Sequence, residues 1–366
     1  MSRRKLSSDN SQPVQSKRFA RNPQTSKFPV AQADAYQGPL PSYSQPREIN
    51  SYSIDSDRRV WFDDRELKYY YEPTGKHLSV GYDRFIKRDE TLKEHLDTLL
   101  DAMTDAQQRS EDPNLTKADI GTIFLEEQAT DQKRNWENNK SERQDLMAYW
   151  GYKFESLCTA STPKPEDTEL QQRITDSANT NVQYCIVVKT KLGKTSLIMG
   201  AEVDCIEGTK PPRNGNPLKH YIELKTSRTM LTNRHQYSFE RYKLLKFWAQ
   251  SFLVGVLRVI CGFRDEDGRI DSLKTFKTLE IPRKVRGKSA MWNPEVCMNF
   301  ANDVLEWIRS AIEKDDPAVT YSIVWKEPWH ELVLSCEGRT NSFLTQRFLD
   351  GETSHEIGGP RAQGAE

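Results

Sequence analysis

Residues 196–207 read SLIMGAEVDCIE and residues 220–228 read HYIELKTSR, two short apolar settings that hold Glu202, Asp204, Glu223 and Lys225. On an extended strand, residues two apart share a face. Glu202 and Asp204 then face one way with Val203 and Cys205 opposite, and Glu223 and Lys225 face one way with Ile222 and Leu224 opposite. Two neighbouring strands of this kind present three carboxylates and one ammonium on a common surface. Crowded carboxylates repel one another unless a cation lies between them, and hard oxygen ligands suit Mg²⁺ or Mn²⁺. Such an ion binds a phosphate oxygen, lowers the pKa of a bound water and steadies the charge that develops as a phosphodiester is attacked. Lys225 is placed to orient that water or to stabilise the transition state. The alternative is two amphipathic strands with solvated faces. Either motif alone is bland, and only their occurrence on predicted adjacent strands gives the chemistry equal weight.

The spacing E-x-D, about twenty residues, then E-x-K is the arrangement of PD-(D/E)xK-type nucleases. Glu155, in GYKFE at the end of a helix with Trp150 and Phe154, is a further candidate ligand, directly or through water, or else a surface glutamate. Gln250 interrupts the apolar face of KLLKFWAQSFLVG and needs a partner if buried, so a satisfied core glutamine is the simpler reading. The six histidines form no HExxH and no zinc spacing with cysteine, and neither a P-loop nor GxGxxG is present.

The elements that must carry these residues follow from hydrophobic periodicity. Helices are predicted over Glu90–Ala106, Ser141–Cys158, Arg234–Val254 and Asn293–Glu313. Strands are predicted over Tyr184–Lys191, Leu197–Ile206, His220–Thr226, Val256–Arg264, Val319–Lys326 and Glu331–Ser335, with a turn at Gly193. This order implies an α/β (α+β) fold, a mixed β-sheet flanked by helices.

With 53 basic and 53 acidic residues the formal charge is zero, which argues against binding to DNA or membrane through bulk positive charge. No apolar run approaches the ~20 residues of a membrane helix, and MSRRKLSSDN does not read as a signal peptide, so no membrane association is expected and the compartment is cytosol or nucleus. Six scattered cysteines without a CxxC pair read as free thiols. Residues 1–46 read as a disordered basic tail, 47–349 as a single domain and 350–366 as a second disordered tail. The clusters Arg3, Arg4, Lys5 and Lys17, Arg18, Arg21 fit either a nuclear import signal or an ordinary basic tail.

GYKFE, GAEVDC, YIELKTS and KLLKFWAQSFLVG, in this order, resemble the DXO family of decapping exoribonucleases, related to the fungal partner of the nuclear 5′→3′ exoribonuclease. Similarity extends to YQGPLPSYSQPREINSYSIDSDRR, LKYYYEP, NTNVQYCIVVKTKLG, GFRDEDGRIDSLKTF and WNPEVCMNFAN. The resemblance implies a PD-(D/E)xK-like nuclease core and a metal-dependent hydrolase. It would remove incomplete, unmethylated or NAD caps and 5′-triphosphate ends from RNA and then digest 5′→3′, in nuclear RNA quality control. It implies metal ligands at Glu155, Asp204, Glu223 and the backbone carbonyl of Leu224, with Glu202 completing the acidic cluster. Substrate contacts are implied at Lys225 and Gln250, and at Arg58, Glu94 and Cys185. The implied partners are RNA 5′ ends and a nuclear 5′→3′ exoribonuclease.

In one place the chain departs from the family, which carries a W-R-G segment with a substrate-binding arginine before a strand beginning G-T. Here Ala118–Ile120 runs straight into Gly121, so roughly thirty residues are absent. That departure supports the alternative of a catalytically weak chain that stabilises the exoribonuclease.

Overall fold

The run of β-branched and aromatic residues at 183–192 forms the central strand of one sheet. Tyr184, Cys185, Ile186, Val187 and Val188 are all buried, as a strand covered on both faces requires. The hairpin that follows turns on Gly193 (φ +54°), where a Cβ would collide with the Asn302 side chain. A left-handed residue here suits the two-residue turn that closes Leu192 onto Thr195.

The computed structural model describes residues 25–350 apart from 111, 113–114, 117–121, 213–214, 313–315 and 340–343. In chain order the strands are β1 (Thr25–Pro29), β2 (Arg47–Ile54), β3 (Val60–Trp61), β4 (Tyr69–Tyr70), β5 (Thr159–Ala160), β6 (Gln183–Leu192), β7 (Thr195–Glu202), β8 (Cys205–Ile206), β9 (Tyr221–Arg228), β10 (Arg258–Arg264), β11 (Ile270–Lys277), β12 (Val319–Trp325) and β13 (Glu331–Arg339). The helices are α1 (Asp97–Gln108), α2 (Asp131–Asn138), α3 (Glu142–Leu157), α4 (Asp167–Thr175), α5 (Asn233–Ser238), α6 (Leu244–Val254), α7 (Pro294–Ala311) and α8 (Gln346–Asp350). Three sheets result, ordered β3-β2-β6-β7, β11-β10-β9-β8-β4-β5 and β1-β13-β12. The mixed α+β architecture expected from the sequence is present, with the parallel pair β9 and β10 joined through α5 and α6.

Two helical layers fix the second sheet. On one side α3 packs Tyr149, Trp150, Phe154 and Leu157 against Ile222, Leu224 and Ile260. On the other, Phe247 and Trp248 of α6 and Met298 of α7 meet Val259, Cys261 and Phe276. Tyr184, Ile186, Val203, Ile206 and Tyr221 fill the space between the first and second sheets. Gly262 on β10 lets α3 approach closely, since a Cβ there would lie 2.6 Å from the Phe154 ring. At the start of α3, Ser141 and Gln144 form a reciprocal capping box.

The buried Lys153 donates to the carbonyls of Arg173 and Ile174 (3.0 Å each) and of Asp176, binding α3 to the negative end of α4. Burial pushes the Lys153 ammonium down to about 8.

Several expectations need correction. The expected tail is structured from Thr25 onward, because β1 pairs antiparallel with β13 some 300 positions later and Tyr36 is buried. Residues 1–24, with both basic clusters, and 351–366 lie outside the described residues. The helix expected from Glu90 starts at Asp97. The helix over Arg234–Val254 is interrupted by a π-turn at Phe239–Lys243, locked by Lys288 on Glu240 at 2.6 Å and by Trp292 Nε1 on the Glu240 carbonyl. The expected strand Leu197–Ile206 is two strands in different sheets, β7 and β8. All six cysteines are free, and among the described residues no helix is long and apolar enough to cross a membrane.

Candidate active site

The break between β7 and β8 creates the site. Glu202 ends β7 in the first sheet, and the chain crosses to the second sheet within Val203 and Asp204. Val203 is buried between the sheets and anchors the crossing. The β8–β9 ladder pairs Cys205 with Ile222, and Asp204 caps the next free amide of β9: Leu224 N–H donates to Asp204 Oδ2 at 2.6 Å. Alternation holds on β9, where Ile222 and Leu224 join the α3 core while Glu223 and Lys225 stay half-buried. Lys225 pairs with Glu223. Glu155 lies in the last turn of α3, one residue beyond Phe154.

Four carboxylates with one ammonium are therefore close enough to perturb one another. Burial raises the Glu155 carboxyl well above the usual range, and the charges of Asp204 and Glu202 add to the rise. Burial also raises Asp204, followed by the charge of Glu223, against the pull of Lys225 and the Leu224 amide. Glu202 sits at an exposed position on the cleft yet is crowded by protein, and desolvation raises it while the Gln183 amide opposes. For Lys225 burial works against the charge, but Asp204 and Glu223 outweigh it and keep the ammonium above the ordinary lysine range.

The donor set is hard oxygen, with a surplus of negative charge that one lysine does not neutralise, which suits a divalent cation. Three of the four carboxylates are meanwhile engaged by protein: Glu202 by Gln183 Nε2 (2.8 Å), Asp204 by the Leu224 amide and Glu223 by Lys225. In this arrangement no three His, Cys, Asp or Glu side chains among the described residues converge as a ready metal cage. Accepting a cation therefore requires these carboxylates to exchange protein donors for it.

A cleft of about 400 Å³ opens beside this cluster, lined by Glu155, Glu202 and Asp204 together with Arg88, Asn179, Thr180 and Gln183. Arg58, in a left-handed turn conformation (φ +64°), donates from Nη2 to both Glu94 carboxylate oxygens at 2.7 Å and from Nη1 to the Asn181 carbonyl and to Gln183 Oε1 (2.6 Å). Cys185 is buried opposite Glu202 in the β6–β7 register, and burial pushes its thiol up to about 12, so it is not a nucleophile at neutral pH. Gln250 is exposed on α6 and does not line the cleft, in contrast to the satisfied core glutamine expected from its apolar neighbours. The structure thus gathers Glu155, Glu202, Asp204, Glu223 and Lys225 into one cluster, and Arg58 with Glu94 into a linked ion pair. Gln183 and Arg88 escaped the sequence reading, because a glutamine opening a strand and an arginine in a loop carry no local signal.

A family model described as "RAI1 like PD-(D/E)XK nuclease" matches residues 44–121 and 114–349. The chain belongs to this family. Its two matched segments meet at 114–121, where the sequence runs from Ile120 straight into Gly121. A "Decapping nuclease RAI1" of Neurospora crassa is 36% identical over 323 residues, covering 79% of this chain and 78% of its own. A "Decapping and exoribonuclease protein" of Xenopus laevis is 34% identical, covering 80% and 82%. Among solved structures, Candida albicans Rai1 "in complex with pU5-Mn2+" superposes with a TM-score of 0.73 at 25% identity, covering 85% of this chain and 95% of that one. The expected nuclease core is therefore present, and membership of the RAI1-like nucleases makes the chain a phosphodiester-cleaving hydrolase.

Proposed function

We propose that this chain is a divalent-cation-dependent hydrolase of RNA 5′ ends, which removes incomplete, unmethylated or NAD caps and 5′-triphosphates and then digests the RNA 5′→3′. We assign it to the nucleus, with the cytoplasm as a second compartment, and to RNA quality control. The observation that carries this reading is the crowding of Glu155, Glu202, Asp204 and Glu223 around Lys225 beside a nucleotide-sized cleft. The names of the fungal and amphibian relatives, and the RNA and Mn²⁺ in the Candida structure, point the same way.

Glu155, Asp204, Glu223 and the Leu224 carbonyl would hold Mg²⁺ or Mn²⁺. When bound, the ion supplies charge neutralisation at the attacked phosphate and acidifies a water. Lys225, kept charged by its acidic neighbours, stabilises negative charge growing on the phosphoryl oxygens. Glu202, fixed by the Gln183 amide, faces the cleft with a raised proton affinity suited to taking a proton from the attacking water. Glu202→Ala and Asp204→Ala should each abolish Mn²⁺-dependent release of the cap from a capped RNA. Undiminished release by either variant would sink the assignment.

A second reading, a catalytically weak chain that stabilises a nuclear 5′→3′ exoribonuclease, draws on the junction at 114–121. Co-purification with such an enzyme, together with no cleavage of capped RNA by the wild type, would favour it. Robust cleavage would remove it.

A further inference from the structure

A polyanionic substrate that ends at four carboxylates needs cations along its approach, and among the described residues the cleft lining offers two, Lys68 and Arg88. Lys68 lies 3.4 Å from Glu66. Arg88 lines the same cleft as Glu155, and its engagement differs from that of the neighbouring Arg58. Arg58 has both terminal nitrogens engaged, with a two-oxygen grip on Glu94 and two further acceptors at 2.8 and 2.6 Å, and only its buried Nε is left without a partner. Arg88 takes only the remaining approach to Glu94 (3.0 Å) and a long contact of 3.4 Å to Gln183 Oε1, and about a third of its side chain is exposed. Glu94 would keep its bidentate partner if Arg88 turned to a new anion. A guanidinium held in place by such partners but not consumed by them is well formed to receive a phosphate.

Gln183 joins this cation to the acidic cluster. Its Oε1 accepts from Arg58 and Arg88, which obliges its Nε2 to point the other way, where it donates to Glu202 at 2.8 Å. An amide can satisfy arginine on one side and carboxylate on the other only in this orientation.

Resting on the reading of the site as an RNA 5′-end hydrolase, we propose that Arg88 binds a phosphate of the substrate and that Gln183 is the positioning residue that couples this contact to Glu202. The phosphate is either the 5′-terminal group or the first internucleotide group, and the two are separated by substrate.

The test is steady-state cleavage of 5′-phosphorylated and 5′-hydroxyl oligouridylate with Mn²⁺ by wild type, Arg88→Gln and Gln183→Leu. Arg88→Gln should raise KM about tenfold and leave kcat within about twofold, as expected for loss of one charge-assisted contact. An effect on the phosphorylated substrate alone assigns Arg88 to the terminal phosphate, and an equal effect on both assigns it to the internucleotide phosphate. Gln183→Leu should instead lower kcat about tenfold while KM stays near that of wild type and unfolding remains a single cooperative transition, a split that simple loss of fold would not produce. In the double variant the Arg88 effect should shrink, because the coupling is already broken. An unchanged KM in Arg88→Gln, with wild type active, overturns this inference alone. A wild type that neither binds nor cleaves either RNA overturns the functional reading, and this inference with it.

Discussion

Two polar clusters lie near β6 and β7, and they differ in how far their carboxylates are matched by donors. In the first, Lys210 reaches Asp64 (2.7 Å), Glu48 (3.0 Å), Ser51 Oγ (3.0 Å) and Tyr184 OH (2.7 Å). Tyr184 OH in turn donates to Asp64 at 2.6 Å, and Tyr221 OH donates to Glu48 at 2.8 Å. Two carboxylates, one ammonium and three hydroxyls close upon themselves. Hydrogen bonds from Lys210 and Tyr184 outweigh burial and hold Asp64 below the usual carboxylate range, while burial raises Glu48 against the pull of Lys210 and Tyr221. In the second cluster four carboxylates share one lysine, and Glu155, Glu202 and Asp204 are all pushed up. A network whose task is to hold two sheets together satisfies itself. One whose task is to receive a charged ligand leaves the excess in place and bears the cost in stability.

The largest test of this contrast is catalytic. Asp204→Asn keeps an acceptor for the Leu224 amide but removes a charge, and should lower Mn²⁺-dependent RNA cleavage on the order of a thousandfold. Retention of most of the activity in single-turnover assays would show that the charge surplus is incidental. Next in size is Lys210→Met, which strands Glu48 and Asp64 without their cation. It should cost about 3 kcal/mol in chemical denaturation, with little change in kcat in the fraction that remains folded.

The same Asp204→Asn variant should behave in the opposite sense, stabilising the metal-free protein by about 1 kcal/mol through relief of repulsion. A lower thermal midpoint would count against the strained-cluster picture.

The smallest effect is in pH. A carboxyl whose folded value is raised binds protons more tightly in the folded chain than in the unfolded one, where it titrates near about 4. Stability then falls as pH rises through the interval between the two values. Metal-free wild type should therefore gain stability between pH 7 and about pH 5.5, and Asp204→Asn should gain less. Asp64 contributes with the reverse sign, since its lowered value supplies stability that is lost only as the medium becomes strongly acidic. Parallel melting curves for the two proteins across that range would contradict the assignment of the slope to the cluster.

What was readable in the chain and what was not divides along the same lines. The E-x-K pair was legible because alternation along one strand is a local property, and β9 is a single uninterrupted strand. The helix carrying Glu155 was legible from its apolar spacing, although the helix setting of Glu155 left a ligand role and a surface glutamate both open until the family resemblance favoured the ligand. Of the first tail, β1 was missed because TSKFP has little apolar pattern and gains its stability from β13, near the other end of the chain.

The amino-acid sequence by itself determined which carboxylates and which lysine are present, their strand and helix settings, and the nuclease family. Tertiary structure alone decided that Glu202 and Asp204 belong to a crossing between two sheets, that Gln250 is exposed, and that Gln183 bridges Arg58 and Arg88 to Glu202. The physical reason is one of range. Periodicity records the face a residue takes on its own element, whereas a sheet-to-sheet crossing or a shared amide depends on elements distant in the chain, whose packing no local pattern specifies.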